Sequence, residues 1–280
     1  MRPIARTIFL LIVMFGQLSE SSATDREEGR IIKDTTSEFN KSESEAQRQL
    51  ATTGFFNALQ PFSLGARAPS VTEIKATVVM PNLGRGDPKS EYDVILQPGH
   101  YQRISGRVGT SGAQVTEQQL VAFIVANVAT YLIGKGVTVL VIPADNFDKS
   151  GLNTEVFLAI HADGSEKQCT TGPSLGYKHD SSLLGMHALA FALAASMGQT
   201  YDDFKKDNFT VDERDYYTFS YIKAQGYSGL LEVGELTCPK VEKALISNAL
   251  LIAQNLGVAL KSAVDILKEP RPDTQSSKTR

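Results

Sequence analysis

The chain is short of several things that would fix its class at a glance. It has two cysteines in 280 residues, Cys169 and Cys238, which leaves room for one disulfide and no more. It has no excess of basic residues: 28 Lys and Arg stand against 31 Asp and Glu, a formal charge of −3. That excludes the basic stripe of a nucleic-acid binder and the polybasic patch of a protein held to anionic lipid. The most apolar run near the start, TIFLLIVMF from Thr7 to Phe15, is too short to span a bilayer. There is no HExxH pair, no Walker or dinucleotide loop and no internal repeat period.

What is present begins with export. Arg2 and Arg6 precede the apolar run, and Ser21-Ser22-Ala23 offers small residues where a signal peptidase cuts, so residues 1–23 read as a signal peptide. No Cys lies near the cut, which argues against a lipoprotein signal. Without residues 1–23, 26 basic side chains face 30 acidic ones. The expected location is secreted or periplasmic, with no stable membrane span after processing. An even cysteine count in an exported protein permits a Cys169–Cys238 bridge. Residues 24–70 are polar, rich in Ser, Thr, Glu and Arg, and read as a flexible linker. Residues 268–280 read as a disordered tail.

Between them, residues 71–267 alternate strand and helix signals. Hydrophobic residues make up 42% of the chain, enough for a real core. Strands are expected at Val71–Met80, Tyr92–Leu96, Val137–Ile142, Glu155–Ile160 and Tyr227–Val233. Helices are expected at Val115–Ile133, at 182–197 closed by Gly198, and from Pro239 to about Leu267. VTVLVI at 137–142 is continuously apolar, as in a parallel strand covered on both sides. The pattern predicts one α/β domain, a mainly parallel twisted sheet with helices on both faces.

Such sheets carry functional groups at the carboxyl ends of their strands. His100 follows YDVIL across a Gln97-Pro98-Gly99 turn, His161 ends EVFLAI, and Glu232 lies at the end of YSGLL. Glu117 sits in the first turn of the helix after His100. Each has a plainer reading: a lone strand-end His is usually a hydrogen-bonded structural residue, and Glu117 suits a helix dipole. Glu232 is harder to dismiss, because a carboxylate within an apolar strand needs a partner or a role. Together the four suit one zinc ion. Two His and a Glu form a known catalytic set with a position left for water, and a further carboxylate outside the set can act as base. Metal ligands His100, Glu117 and His161 with Glu232 as base is thus the leading assignment. Glu235 is the rival base. His179, in a polar turn, is a candidate substrate contact, and His187 reads as a packed helix residue. Gly226-Tyr227-Ser228-Gly229 lacks the spacing of a serine nucleophile turn.

At these residues the chain resembles the zinc-dependent N-acetylmuramoyl-L-alanine amidases of the type-3 family. The resemblance rests on VILQPGH, TEQQL, FLAIHADG and GLLEVGELT, in that order, and covers about Tyr92 to Leu267. It implies zinc on His100, Glu117 and His161, with Glu232 as general base. It also implies a sheet of about six strands, and as substrate the amide joining N-acetylmuramic acid to the L-alanine of the peptidoglycan stem. The chain departs from the family at Gln97, where Asp is common, at Tyr101-Gln102, where Gly-Gly is usual, and at Asp163, where Asn is usual. NFDKSGLNTE is a shortened form of the stretch before the second His strand. These departures make Gln97 and Asp163 candidates for tuning the site. They also keep two alternatives in view: a muropeptide-binding protein without turnover, and a zinc peptidase or amidase with another exported substrate.

Overall fold

A computed structural model describes residues 55–59, 67–103, 106–145, 151–177 and 183–269. Residues 1–23, read above as a signal peptide, most of the polar stretch 24–70, His179 and residues 270–280 lie outside the described residues.

Five strands form one sheet: β1 Glu91–Pro98, β2 Val139–Val141, β3 Leu152–Asp163, β4 Ser174–Tyr177 and β5 Ile222–Glu235, in the order β2-β1-β3-β5-β4. β1 pairs in parallel with β2 and β3, and β3 in parallel with β5; only β4 runs antiparallel, against β5. The helices are α1 Phe55–Ala58, α2 Val71–Lys75, α3 Glu117–Gly134, α4 Leu183–Met197, α5 Val211–Arg214 and α6 Pro239–Lys268. The chain is thus a single α/β domain with a mainly parallel sheet.

Val71–Met80 is not the strand its β-branched residues suggest. Ser70 accepts the Glu73 N–H at 3.2 Å, and Glu73 accepts the Ser70 N–H at 2.8 Å. This reciprocal capping box starts α2, and local capping overrides a short strand propensity. Beyond it, Leu83 makes one parallel bridge to Val141 at the sheet edge. The stretch read as linker is corrected at its end too. Phe55 and Leu59 are buried, and α1 packs against α6, because FFNAL supplies apolar side chains that the polar sequence around it lacks.

Alternation along the strands sends Ile95, Phe157, Ala159 and Leu230 to one face, where they form a buried cluster with Leu140 and Phe219. Val94, Leu96, Leu158 and Leu231, all fully buried, serve the other. The long helices lie on this second face. Gly185 of α4 lies so close to Tyr227 that a Cβ there would collide with its ring, and Gly257 of α6 meets the Tyr131 ring of α3 in the same way. Asn255 of α6 donates to Ser196 of α4 at 3.0 Å. On the first face the helical cover is short: α5, whose Glu213 lies against Gly176 of β4, and a 3₁₀ turn, Tyr217–Ser220, whose Phe219 meets Phe157 edge-on at 6.2 Å. α6 is long and apolar enough to cross a membrane by length and composition, but most of its apolar stretch is buried against the sheet and its neighbours. Its apolar residues therefore serve the core.

Because β1, β3 and β5 are parallel, their carboxyl ends share one rim. A disulfide between Cys169 and Cys238, Cα atoms 4.7 Å apart, ties the loop after β3 to the start of α6 beside that rim.

Candidate metal centre

β1 ends at Pro98, and the chain turns sharply through Gly99 and His100. His100 takes a left-handed φ of 55°, a conformation that costs a non-glycine residue about 1–2 kcal/mol. Its Nδ1 lies 2.8 Å from the Arg107 carbonyl oxygen. A carbonyl only accepts, so Nδ1 carries the proton and the Nε2 lone pair is left facing Glu117 Oε2, 3.7 Å away. Burial pushes the His100 pKa below its ordinary value, and nearby Glu117 opposes this. The lowered proton affinity favours the neutral ring, the form that binds metal.

Glu117 is the first residue of α3, set by a capping box between Thr116 and Gln119. Its carboxylate is buried and turned inward. Oε1 lies 2.9 Å from His161 Nδ1 and accepts the Ala162 N–H at 3.2 Å; Oε2 accepts the Thr110 N–H at 3.0 Å. Burial pushes this carboxyl up, but hydrogen bonding to and attraction from His161, with His100 and the Thr110 N–H, outweigh it and hold the group below its ordinary range. The loop carrying Thr110 is fixed from behind. Buried Glu242, in the first turn of α6, accepts the N–H groups of Ala113, Gln114 and Val115 at 3.1, 2.6 and 3.1 Å.

His161 stands near the end of β3. A Cβ on Gly99 would lie 2.5 Å from its Nδ1, and one on Gly109, at φ 89°, would lie 2.7 Å from Glu117 Oε2. Both positions must be bare for the ligand side chains to meet. The donor atoms of His100, Glu117 and His161 all lie within 4.8 Å of one another. The donor set suits zinc in number and kind. At 2.9 Å, His161 Nδ1 and a Glu117 oxygen need a proton or a metal ion between them. The residues present therefore fit a divalent metal.

Glu232 pairs in register with His161 across β3 and β5 and faces the same side. It is half-buried, and its enclosed Oε2 has no hydrogen-bond partner among the described residues. Burial, then the charges of Glu117, Asp163 and Glu213, push its pKa well above the usual carboxylate value. These groups line a cavity of about 670 Å³ with Arg103 and Arg107 on its rim. Asp163 also lines it, with Oδ1 accepting the Gly164 N–H at 2.7 Å.

The other sequence candidates lie elsewhere. Glu235 is outside the cavity lining and accepts from Cys169 N, Thr171 N and Thr237 Oγ1 at 2.6, 2.7 and 2.8 Å. Those contacts anchor the disulfide-bearing loop and hold the Glu235 carboxylate away from the cavity. Burial opposes ionisation at Glu235, but these donors prevail and hold its pKa below the ordinary value. His187 is buried in α4 against Phe191 and Tyr201. Ser228 lies within β5 opposite Phe157, with no nucleophile turn. Gln97 is buried behind His161 and does not line the cavity. Sequence reasoning missed Tyr216, Thr110 and Glu242. Glu242 left one faint signal, an acid just after the Pro that opens a helix, but that also suits a helix dipole.

No family model matches the chain, and no curated protein matches it. Among solved structures the chain is similar to an N-acetylmuramoyl-L-alanine amidase of Clostridium difficile 630, at 17% identity over 62% of this chain and 97% of that one, with a TM-score of 0.46. It is similar to the N-acetylmuramoyl-L-alanine amidase AmiC2 of Nostoc punctiforme at 18% identity, over 62% and 97% of the two chains, with a TM-score of 0.46. It is similar also to the catalytic domain of CwlV, an N-acetylmuramoyl-L-alanine amidase from Bacillus (Paenibacillus) polymyxa var. colistinus, at 22% identity, over 62% and 99%, with a TM-score of 0.45.

Proposed function

We propose that the chain is an exported zinc amidohydrolase that cuts the N-acetylmuramoyl–L-alanine amide of peptidoglycan. One observation carries the reading: three donor atoms from separate segments converge within 4.8 Å, beside a carboxylate oxygen with no hydrogen-bond partner, in a cavity of about 670 Å³. The ordered motifs around His100, Glu117, His161 and Glu232 support the substrate class.

When bound, zinc supplies Lewis acidity and lowers the pKa of a water to about 7. His100, Glu117 and His161 would hold it. The Thr110 and Ala162 N–H groups orient the Glu117 carboxylate, and the Arg107 carbonyl fixes the proton on His100. Glu232 Oε2 is the proton acceptor. Its enclosed position and raised proton affinity suit it to take a proton from the attacking water and return it to the leaving amine. Arg103 is fixed by the Ala144 carbonyl at 2.9 Å and by Tyr217 Oη at 3.3 Å, so it offers a steady cation at the cavity rim.

Metal analysis of the purified protein tests the site. About one zinc per chain is expected, lost in His161→Ala while circular dichroism stays unchanged. A zinc content unaffected by removing His161 would contradict the assignment.

A further inference from the structure

From His161 a chain of part-buried and then buried hydrogen bonds leads away from the metal site. His161 Nε2 lies 3.1 Å from Tyr216 Oη. Tyr216 Oη lies 2.8 Å from Gln97 Oε1, and Thr218 Oγ1 lies 3.0 Å from the same oxygen. Gln97 Nε2 lies 3.1 Å from the Pro143 carbonyl oxygen. Gln97 and Thr218 are buried.

The direction of every bond in this chain follows from its far end. The Pro143 carbonyl can only accept, so the amide nitrogen of Gln97 faces it and the amide oxygen faces the two hydroxyls. That oxygen also only accepts, so Tyr216 and Thr218 both donate to it. Having given its one proton to Gln97, Tyr216 can only accept from His161. Nε2 of His161 therefore carries a hydrogen, so in the neutral, metal-binding ring Nδ1, the nitrogen 2.9 Å from Glu117 Oε1, has the lone pair, and the ion takes the place a proton would otherwise hold between the two.

We propose that Gln97 and Tyr216, steadied by Thr218, are positioning residues that fix the tautomer of His161 so that Nδ1 is offered to the metal. The proposal rests on the zinc-site reading. His100 is set the opposite way: its Nδ1 donates to the Arg107 carbonyl and its Nε2 faces Glu117. The two histidines thus present different nitrogens to one ion. Gln97 suits this task better than an acid would, because the Pro143 carbonyl requires a donor from the same side chain that accepts from Tyr216 and Thr218. The departure at Gln97 thereby acquires a role in this chain.

The test uses full-length protein labelled with ¹⁵N-histidine and loaded with ¹¹³Cd, together with zinc titrations against a competing chelator. Cadmium should couple to Nδ1 of His161 and Nε2 of His100, each assigned through its His→Ala variant. Tyr216→Phe keeps the ring in place and should weaken zinc binding by about 10–100-fold, the range for losing an outer partner of a metal ligand. Gln97→Leu should weaken it similarly, and the double variant by little more than either single one, as for members of one chain. Coupling of cadmium through Nε2 of His161, or unchanged zinc affinity in Tyr216→Phe, would overturn the relay while leaving the metal site standing. Cadmium bound without coupling to either histidine would overturn the site itself, and the relay with it.

Discussion

Glu232→Gln should make the protein both more stable and nearly inactive. The substitution keeps shape and removes charge. In the native protein the Glu232 Oε2 has no hydrogen-bond partner among the described residues, and the carboxylates of Glu117, Asp163 and Glu213 press on it. An unmet buried polar group costs about 1–3 kcal/mol. A Gln side chain brings two N–H donors into this ring of acceptors. Relief of about 1–2 kcal/mol would raise Tm by about 2–8 °C in a domain of this size. The gain has a pH signature. The folded pKa of Glu232 lies well above its ordinary 4.5, so its cost is absent below the unfolded pKa, grows as pH rises above it, and is complete once pH passes the folded pKa. The Tm difference between variant and wild type should therefore be near zero around pH 4 and largest in alkaline buffer, measured in chelator so that no metal offsets the charge. With zinc restored, kcat should fall by about 10²–10⁴-fold, the range for losing a general base. A variant that melts lower than wild type at alkaline pH, or turns over at the wild-type rate, would refute the reasoning.

Gly99→Ala would bring a Cβ within 2.5 Å of His161 Nδ1, so zinc affinity should drop at least about 10-fold with little change in Tm, read by chelator competition. Cys169 and Cys238 close a loop of sequence separation 69, for which loop-closure entropy gives roughly 4 kcal/mol; urea midpoints of the double Ser variant should show a loss of that order. Glu235 has a depressed pKa, so its stabilisation is present above its unfolded value near 4.5 and is lost as pH falls through the folded pKa. Glu235→Gln should thus melt below wild type at pH 7, and the gap should close below about pH 4 in thermal melts.

Much of the fold was legible because periodicity is strong where packing is simple. VTVLVI and EVFLAI read as buried parallel strands, and α3, α4 and α6 carry clear helical spacing and stops such as Gly198. Val71–Met80 misled because six β-branched residues outweighed a Ser70/Glu73 cap that only its hydrogen bonds make plain. β4, SLGY, is too short to show alternation, and its antiparallel pairing with β5 leaves no mark in four residues. At the site, strand ends disclosed His100, His161 and Glu232. Glu117 was nameable only in company with the other three, since a first-turn acid alone has an ordinary use; its burial and its contact with His161 set it apart. Tyr216 was invisible in a polar stretch, because its position comes from the 3₁₀ turn beside it folding over the sheet. The surroundings of Glu235, the rival to Glu232 as base, were hidden for a similar reason. Strand position alone could not reveal the three donors, two backbone N–H groups and a Thr hydroxyl, that claim its oxygens.

The most direct test of the account is a mass-resolved digest of purified peptidoglycan by the zinc-loaded protein, with a chelated sample alongside. The account predicts free stem peptides beginning at L-alanine, released only when zinc is present. Cuts between stem residues, or binding to the wall with nothing released, would contradict it.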